Sequence, residues 1–174
     1  LPLLIAIAEK NEGSDLGERA LLNAFVATRA QGDTEQLYKL GGMIASSYPK
    51  SEQLPGILSS LGQMALARFE IARAIEFLRR AVQVNHPQKV RLLVAAGELH
   101  EQLGNRSAAR DSYLTAIRSS EVRERADALQ HLARLLEQEG DTGQAVSQLT
   151  PYLEDGNHQV VAVVGLALME QGDS

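Results

Sequence analysis

The stretch that decides the fold is "GNRSAARDSYLTAI", Gly104 to Ile117. A glycine opens it, a short polar turn follows, and then small residues at Ala109 and Ala116 flank a large one at Tyr113. Nothing in it has the pattern of a catalytic motif. The same order of residue types recurs upstream in "FEIARAIEFLRRAV" (Phe69 to Val82), with Ala74, Leu78 and Ala81. It recurs downstream in "GDTGQAVSQLTPYL" (Gly140 to Leu153), with Ala145, Leu149 and Tyr152. One step further back, Gly32, Leu37, Gly41, Ile44 and Pro49 stand at the same offsets, and Gly172 with Asp173 opens another copy. The starts at Gly32, Phe69, Gly104, Gly140 and Gly172 lie 37, 35, 36 and 32 residues apart. A period in that range is the mark of stacked helical pairs.

Composition narrows the class around this repeat. The 174 residues carry 17 basic and 22 acidic side chains, interspersed, for a formal charge of -5. No basic patch invites a nucleic-acid backbone, so nucleic acid is not an expected partner. The absence of cysteine removes disulfides, thiolate nucleophiles and cysteine-based zinc sites, and is compatible with cytosol and periplasm alike. The chain starts "LPLLIAIAEK" with no initiator methionine and no basic leader, and reads as a segment of a longer protein. The longest apolar run, "VVAVVGLALM" (Val160 to Met169), is half of the roughly 20 residues a membrane helix needs, so it is expected as a buried helix without direct membrane insertion. Aromatic residues make up only 4% and tryptophan is absent, while alanine and leucine dominate. That usage suits helices packed closely on helices, and the expected class is all-α.

The periodicity supplies the hairpins. Leu58, Leu61, Met64, Ala65 and Leu66 fall at three- and four-residue spacing, and Ile75, Leu78, Ala81 and Val82 repeat it after a short turn, so the two helices must run antiparallel. In the next unit "RLLVAAGELHEQLG" forms a first helix, Gly104 is its left-handed stop, and Asn105 or Ser107 caps the helix that follows. Gly62, Gly97, Ala133 and Gly165 occupy one equivalent place in the first helices, where a side chain would hold the neighbouring helix away. Ala74, Ala109 and Ala145 do the same in the second helices, and Leu78, Tyr113 or Leu149 fills the gap beside them. A glycine inside a helix costs about 1 kcal/mol relative to alanine, so its return at one position implies close helix approach.

These residues resemble the tetratricopeptide repeat, a helix-turn-helix of 34 residues with alternating large and small positions. The best match is the third unit, Val90 to Glu121 and a little beyond, where Leu93, Ala96, Gly97, His100, Gly104, Ala109, Tyr113 and Ala116 stand at the motif positions in order. The second unit supplies Leu58, Leu61, Gly62, Ala65, Ala74, Leu78 and Ala81, and the fourth supplies Leu129, Leu132, Ala133, Leu136, Gly140 and Ala145. The first is degenerate, with Phe25 where a small residue is expected and Leu37 in place of alanine. No unit carries the family's tryptophan, His100 replaces its usual tyrosine, and the spacings exceed 34, so the copies are divergent. The resemblance implies an all-α solenoid of αα-hairpins wound as a right-handed superhelix. Its expected division is residues 1–17 as the second helix of a preceding repeat plus loop, repeats at 18–54, 55–89, 90–125 and 126–157, and a truncated repeat at 158–174.

In such a superhelix the first helices line a concave face that binds a peptide or another protein. By resemblance that face takes Arg19, Leu22, Val26 and Arg29 in the first unit, and Ser59 and Gln63 in the second. It continues with Arg91, Val94, Glu98 and Glu101 in the third and Asp127, Gln130, Arg134 and Glu137 in the fourth. The mixed charge of this lining favours a partner with both acidic and basic groups. Chaperone-binding members hold a terminal carboxylate at positions that read here Leu22, Val26, Ser60, Arg91 and Ala95, and only Arg91 suits that task.

No chemistry of an enzyme emerges. His86, His100, His131 and His158 share no metal-pair spacing and are expected in structural or surface roles. "LHEQL" lacks the second histidine of a metalloprotease helix, and "LGGM" (Leu40 to Met43) lacks the lysine and hydroxyl residue of a phosphate loop. Ser46, Ser47, Ser59 and Ser60 have no base at a recognisable offset, and Glu137 and Glu139 face different sides of one helix. The expectation is a non-catalytic interaction scaffold without cofactor or metal. The alternative is a spacer or self-association arm of a larger envelope, secretion or polysaccharide-assembly protein, or the repeat arm of an enzyme with its catalytic domain elsewhere. Divergent alanine- and leucine-rich repeats without cysteine point toward a bacterial envelope or assembly system.

Overall fold

The computed structural model describes residues 1–84, 86–120 and 125–172. Glu121, at the end of the third unit, and Asp173, of the closing Gly-Asp pair, lie outside the described residues. The fold is all-α and built of helical repeats, and no strand occurs among the described residues. The chain forms two compact units, 1–87 and 88–174.

The first unit holds α1 (Pro2–Lys10), α2 (Asp15–Gln31), α3 (Thr34–Ser47), α4 (Leu54–Ala67) and α5 (Ile71–Gln83), each packed on the next. Ser14 starts α2 by accepting a hydrogen bond from the Gly17 N–H at 3.2 Å, and Asp33 starts α3 by accepting from the Gln36 N–H at 3.0 Å. The core runs through Ala20, Leu21 and Ala24 of α2, Leu37, Leu40 and Ile44 of α3, and Leu58, Leu61 and Ala65 of α4. Leu37, which the sequence places where alanine is usual, is fully buried. Tyr38 stacks on Phe77 with ring centroids 5.4 Å apart, and Arg73 sits 4.5 Å over the Tyr38 ring while pairing with Glu35 and Glu70 at 2.9 and 2.8 Å.

The second unit holds α6 (Lys89–Gln102), α7 (Arg106–Arg118), α8 (Ala126–Glu139), α9 (Thr142–Leu149), a 3-10 helix (Thr150–Asp155) and α10 (His158–Gly172). α6 pairs with α7, α8 with α9, and α10 packs on both α8 and α9. A close approach of α6 and α7 lies where the repeat grammar puts it. A Cβ built at Gly97 would overlap the Tyr113 ring, and one at Gly62 in the first unit would lie 2.8 Å from Leu78 Cδ2. Each glycine is a notch for the large residue of its partner helix, and Tyr113 is fully buried in this one.

Turn chemistry follows the same grammar with one exception. Gly104 adopts φ 74°, its N–H donates to Glu101 O at 2.9 Å, and the Asn105 N–H donates to His100 O at 2.8 Å. That paired closure satisfies the last carbonyls of α6 and needs a left-handed residue at its pivot. α4 closes with the same pair of bonds, Phe69 N–H to Leu66 O at 3.0 Å and Glu70 N–H to Ala65 O at 2.9 Å, but the pivot at φ 60° is Phe69, 88% exposed.

Three expectations of detail give way. Asn105 stands at the start of α7 but makes no side-chain cap bond, and Ser107 lies within the helix. α9 ends at Leu149, so Tyr152, which the repeat offsets align with Ala81 and Ala116 of the second helices, falls in a 3-10 turn, because Pro151 has no N–H to donate to the helix ladder. Gly165, grouped with Gly62 and Gly97, has nothing within 4 Å of a built Cβ, because no described helix packs over that place on α10.

Candidate functional site

The residues singled out from the sequence fall on two faces, one in each unit. On α2, Arg19, Leu22, Val26 and Arg29 recur at steps of three, four and three, the spacing of one helical stripe. Val26 is 67% exposed although apolar, and Leu22 is half-buried. Together with Phe25 and Arg29, with Gln53 at the start of α4, and with Gly56, Ile57 and Ser60 of α4, they line a cleft of about 240 Å³. Its floor is apolar, through Phe25 and Ile57, and no carboxylate lines it. Arg19 and Arg29 are exposed and stand in no ion pair among the described residues. Gln63 is exposed on α4 but does not line the cleft.

Ser59 is a correction. It is 7% exposed and turned into the packed side of α4, and the neighbouring Ser60 takes the place on the cleft. One residue along a helix rotates a side chain by about 100°, enough to move it from lining to core.

The face of the second unit is built differently. On α6, Glu98 and Glu101 stand one turn apart, and on α8 Asp127, Gln130, His131, Arg134 and Glu137 form a stripe. Tyr113 reaches between them from α7. Its ring fills the Gly97 notch, stacks on His131 with centroids 5.3 Å apart, and its hydroxyl donates to Glu101 Oε1. Burial and that bond to a carboxylate push the Tyr113 hydroxyl well above the ordinary tyrosine range. Arg134 lies 3.6 Å from Glu101 Oε1 and donates from Nη2 to His131 Nδ1 at 2.9 Å. A guanidinium can only donate, so His131 carries its ring proton on Nε2, which faces Glu98 Oε1 at 3.4 Å and Asp127 Oδ1 at 3.7 Å. The polar groups of this face therefore hold one another, over a shallow cleft of about 170 Å³ lined by Asp127, Gln130, His131, Arg134 and Gln159.

Arg91 is exposed on α6, outside that cleft and in no ion pair among the described residues. Val94, expected on the lining, is 5% exposed and belongs to the core. Glu137 is exposed and accepts from Gln159 Nε2 at 3.3 Å. Two members of the face were not read from the sequence as such. His131 was assigned a structural or surface role, yet it stands three residues before Arg134 on the same stripe, a spacing that brings two helical side chains together. Gln159 comes from α10, beyond any local signal.

Among the described residues, no group of three or more His, Asp or Glu could hold a metal ion, and no helix is long and apolar enough to cross a membrane.

Residues 90–122 match the tetratricopeptide-repeat family model. No curated protein matches the sequence. The crystal structure of MamA protein superposes with a TM-score of 0.53 at 20% identity, covering 89% of this chain and 82% of that one. A second crystal structure of MamA gives a TM-score of 0.47 at 18% identity, covering 84% of this chain and 94% of that one. At 20% identity the likeness to the first of these extends to the fold alone.

Proposed function

We propose that this chain, a tetratricopeptide-repeat protein with divergent units, holds a peptide or protein partner on the exposed stripes of its first helices. Repeats of this family are in general protein-interaction scaffolds, and the finer reading concerns where and how this one binds. The observation that carries it is Val26, an apolar side chain left 67% exposed on α2, one turn from the half-buried Leu22 and next to the buried Phe25 with which it lines the cleft. It lines a cleft with Arg29 and Ser60, so an apolar floor and a few polar groups converge there, the usual make-up of a recognition site. The stripe of α8 adds Gln130, Arg134 and the exposed Asp127 on the second unit. In this reading the chain contributes contacts and no chemistry.

The test is affinity capture from a lysate of the source cells, with retained proteins identified by mass spectrometry. The unmodified chain is compared with Val26→Glu, with Arg91→Glu/Arg134→Glu, and with a control substitution at the exposed Glu76 on α5. A partner lost with a stripe variant and kept by the control supports the reading. Equal retention by all four counts against it.

A second reading, a self-association arm, has its own observation. α10 exposes Val161, Leu166, Leu168 and Met169, the last by 68%, beside the open place at Gly165. Apolar exposure of this extent on one helix marks a contact surface. Sedimentation velocity across a hundredfold range of concentration separates the two, since a strictly monomeric profile leaves the arm without support.

A further inference from the structure

The cleft of the first unit carries a chemical specification of its partner. Along α2, Arg19 and Arg29 bracket Leu22 and Val26, and ten helical residues set the two arginines about 15 Å apart. Arg29 lines the cleft and Arg19 lies outside its lining, one turn before Leu22 on the same stripe; neither has a carboxylate partner among the described residues, and the cleft lining contains no carboxylate. Elsewhere in the same unit Arg68 pairs with Glu70, Arg73 with Glu35 and Glu70, and Arg79 with Glu76, while Arg80 on α5 stands like Arg19 and Arg29 in no ion pair among the described residues. Two cations without counterions, set around an apolar strip, are complementary to a segment with the reverse order of groups. We propose that the α2–α4 cleft takes an extended acidic and apolar segment of a partner protein, with a carboxylate toward each end and apolar side chains between them.

The dimensions agree with an extended chain. About 15 Å is spanned by five or six residues at strand rise, and alternate side chains of such a segment point the same way at about the spacing of Leu22 and Val26 along the helix. The cleft volume of about 240 Å³ accommodates one or two apolar side chains rather than a packed helix face. Gly56, over which a built Cβ meets nothing within 4 Å, leaves backbone room on the α4 side, and Gln53 and Ser60 offer polar groups to the segment's main chain. A nucleic-acid backbone would find one cation in the cleft, Arg29, and a second, Arg19, beyond the apolar strip, which is poor complementarity for a continuous run of phosphates. This inference rests on the reading that the first-helix stripes bind proteins, and adds the chemistry of the bound segment.

The experiment is selection of a random dodecapeptide phage library on the immobilised full chain, followed by fluorescence anisotropy of the enriched peptides. Titrations run against the unmodified chain, Arg19→Glu/Arg29→Glu, the milder Arg29→Gln, Arg134→Glu and the control Glu76→Gln on α5, with helicity checked by circular dichroism. The expected result is enrichment of peptides with two acidic residues bracketing apolar ones. Their affinity should fall by about tenfold or more in the double variant and measurably in Arg29→Gln, with the control Glu76→Gln unchanged, since charge-assisted contacts are the ones removed. Enriched peptides without acidic residues, or equal affinity for all variants, overturn the inference. Peptides that depend on Arg134 instead would leave the scaffold reading standing and this one refuted, whereas a failure to enrich any peptide would count against both. Sedimentation with vesicles of equal phosphatidylcholine and phosphatidylglycerol closes the remaining case: capture that requires Arg19 and Arg29 would assign the cleft to a lipid surface and overturn the proposal.

Discussion

The two first-helix faces show what one scaffold does with polar groups in two ways. In the second unit, Arg134, His131, Glu98, Glu101 and Tyr113 answer one another, so the face is pre-arranged and its charges largely compensated. In the first unit, Arg19 and Arg29 have no such partners and the strip between them is apolar. The difference separates stability from recognition. A group that hydrogen-bonds inside the protein supports the fold, and a group left without a partner is available to a ligand.

The largest effect should come from the support beneath the second face. Gly97→Leu drives a side chain into the Tyr113 ring, and with it displaces the Glu101–Arg134–His131 cluster; unfolding in urea should show a loss of about 3 kcal/mol. Gly165→Ala, by contrast, adds a methyl to open space on α10 and gains helix propensity, so stability should rise by up to about 1 kcal/mol. If both glycines behave alike, the distinction between a packed notch and an open one is wrong. Next, Glu101→Ala leaves the Tyr113 hydroxyl buried without its acceptor and should cost about 2 kcal/mol by the same measurement.

A smaller effect sharpens the comparison at the turns. Phe69→Gly should stabilise the chain by about 0.5 kcal/mol, because relief of a left-handed side chain slightly exceeds the added entropy of a glycine in the unfolded chain. Smallest of all, Arg29→Ala should change thermal unfolding by less than about 0.5 kcal/mol, as for a surface residue that makes no internal bond. A cost above 1 kcal/mol there, on the scale of a lost charged hydrogen bond, would break the contrast between the two faces.

Much of this was legible in residue types at fixed offsets. Gly104, Gly140 and Gly32 announce helix stops because a left-handed pivot is cheapest in glycine, and all three adopt φ between 67° and 74°. Gly97 and Tyr113 announce their contact because a missing side chain and an oversized one recur at matched positions. What escaped depends on relations that no local pattern encodes. Ser59 and Ser60 are chemically identical neighbours, and only the rotation of α4 against its partners decides which is buried. Val94 looks like lining by offset but is drawn into the core with the apolar residues of its helix. His131 gains its role from Tyr113 and Glu98, which arrive from two other helices. Gly165 shares the spacing of the notch glycines without the helix that would make it one.

The notch at Gly97 also shapes how this sequence can drift. Any residue larger than glycine collides with Tyr113, and any residue smaller than tyrosine opens a void and abandons the Glu101 bond. Each single step away from the pair passes through a less stable protein, so the two positions can change only together. Mutational paths through the second unit are therefore channelled toward its exposed positions, leaving the pair as a fixed point around which the repeat varies.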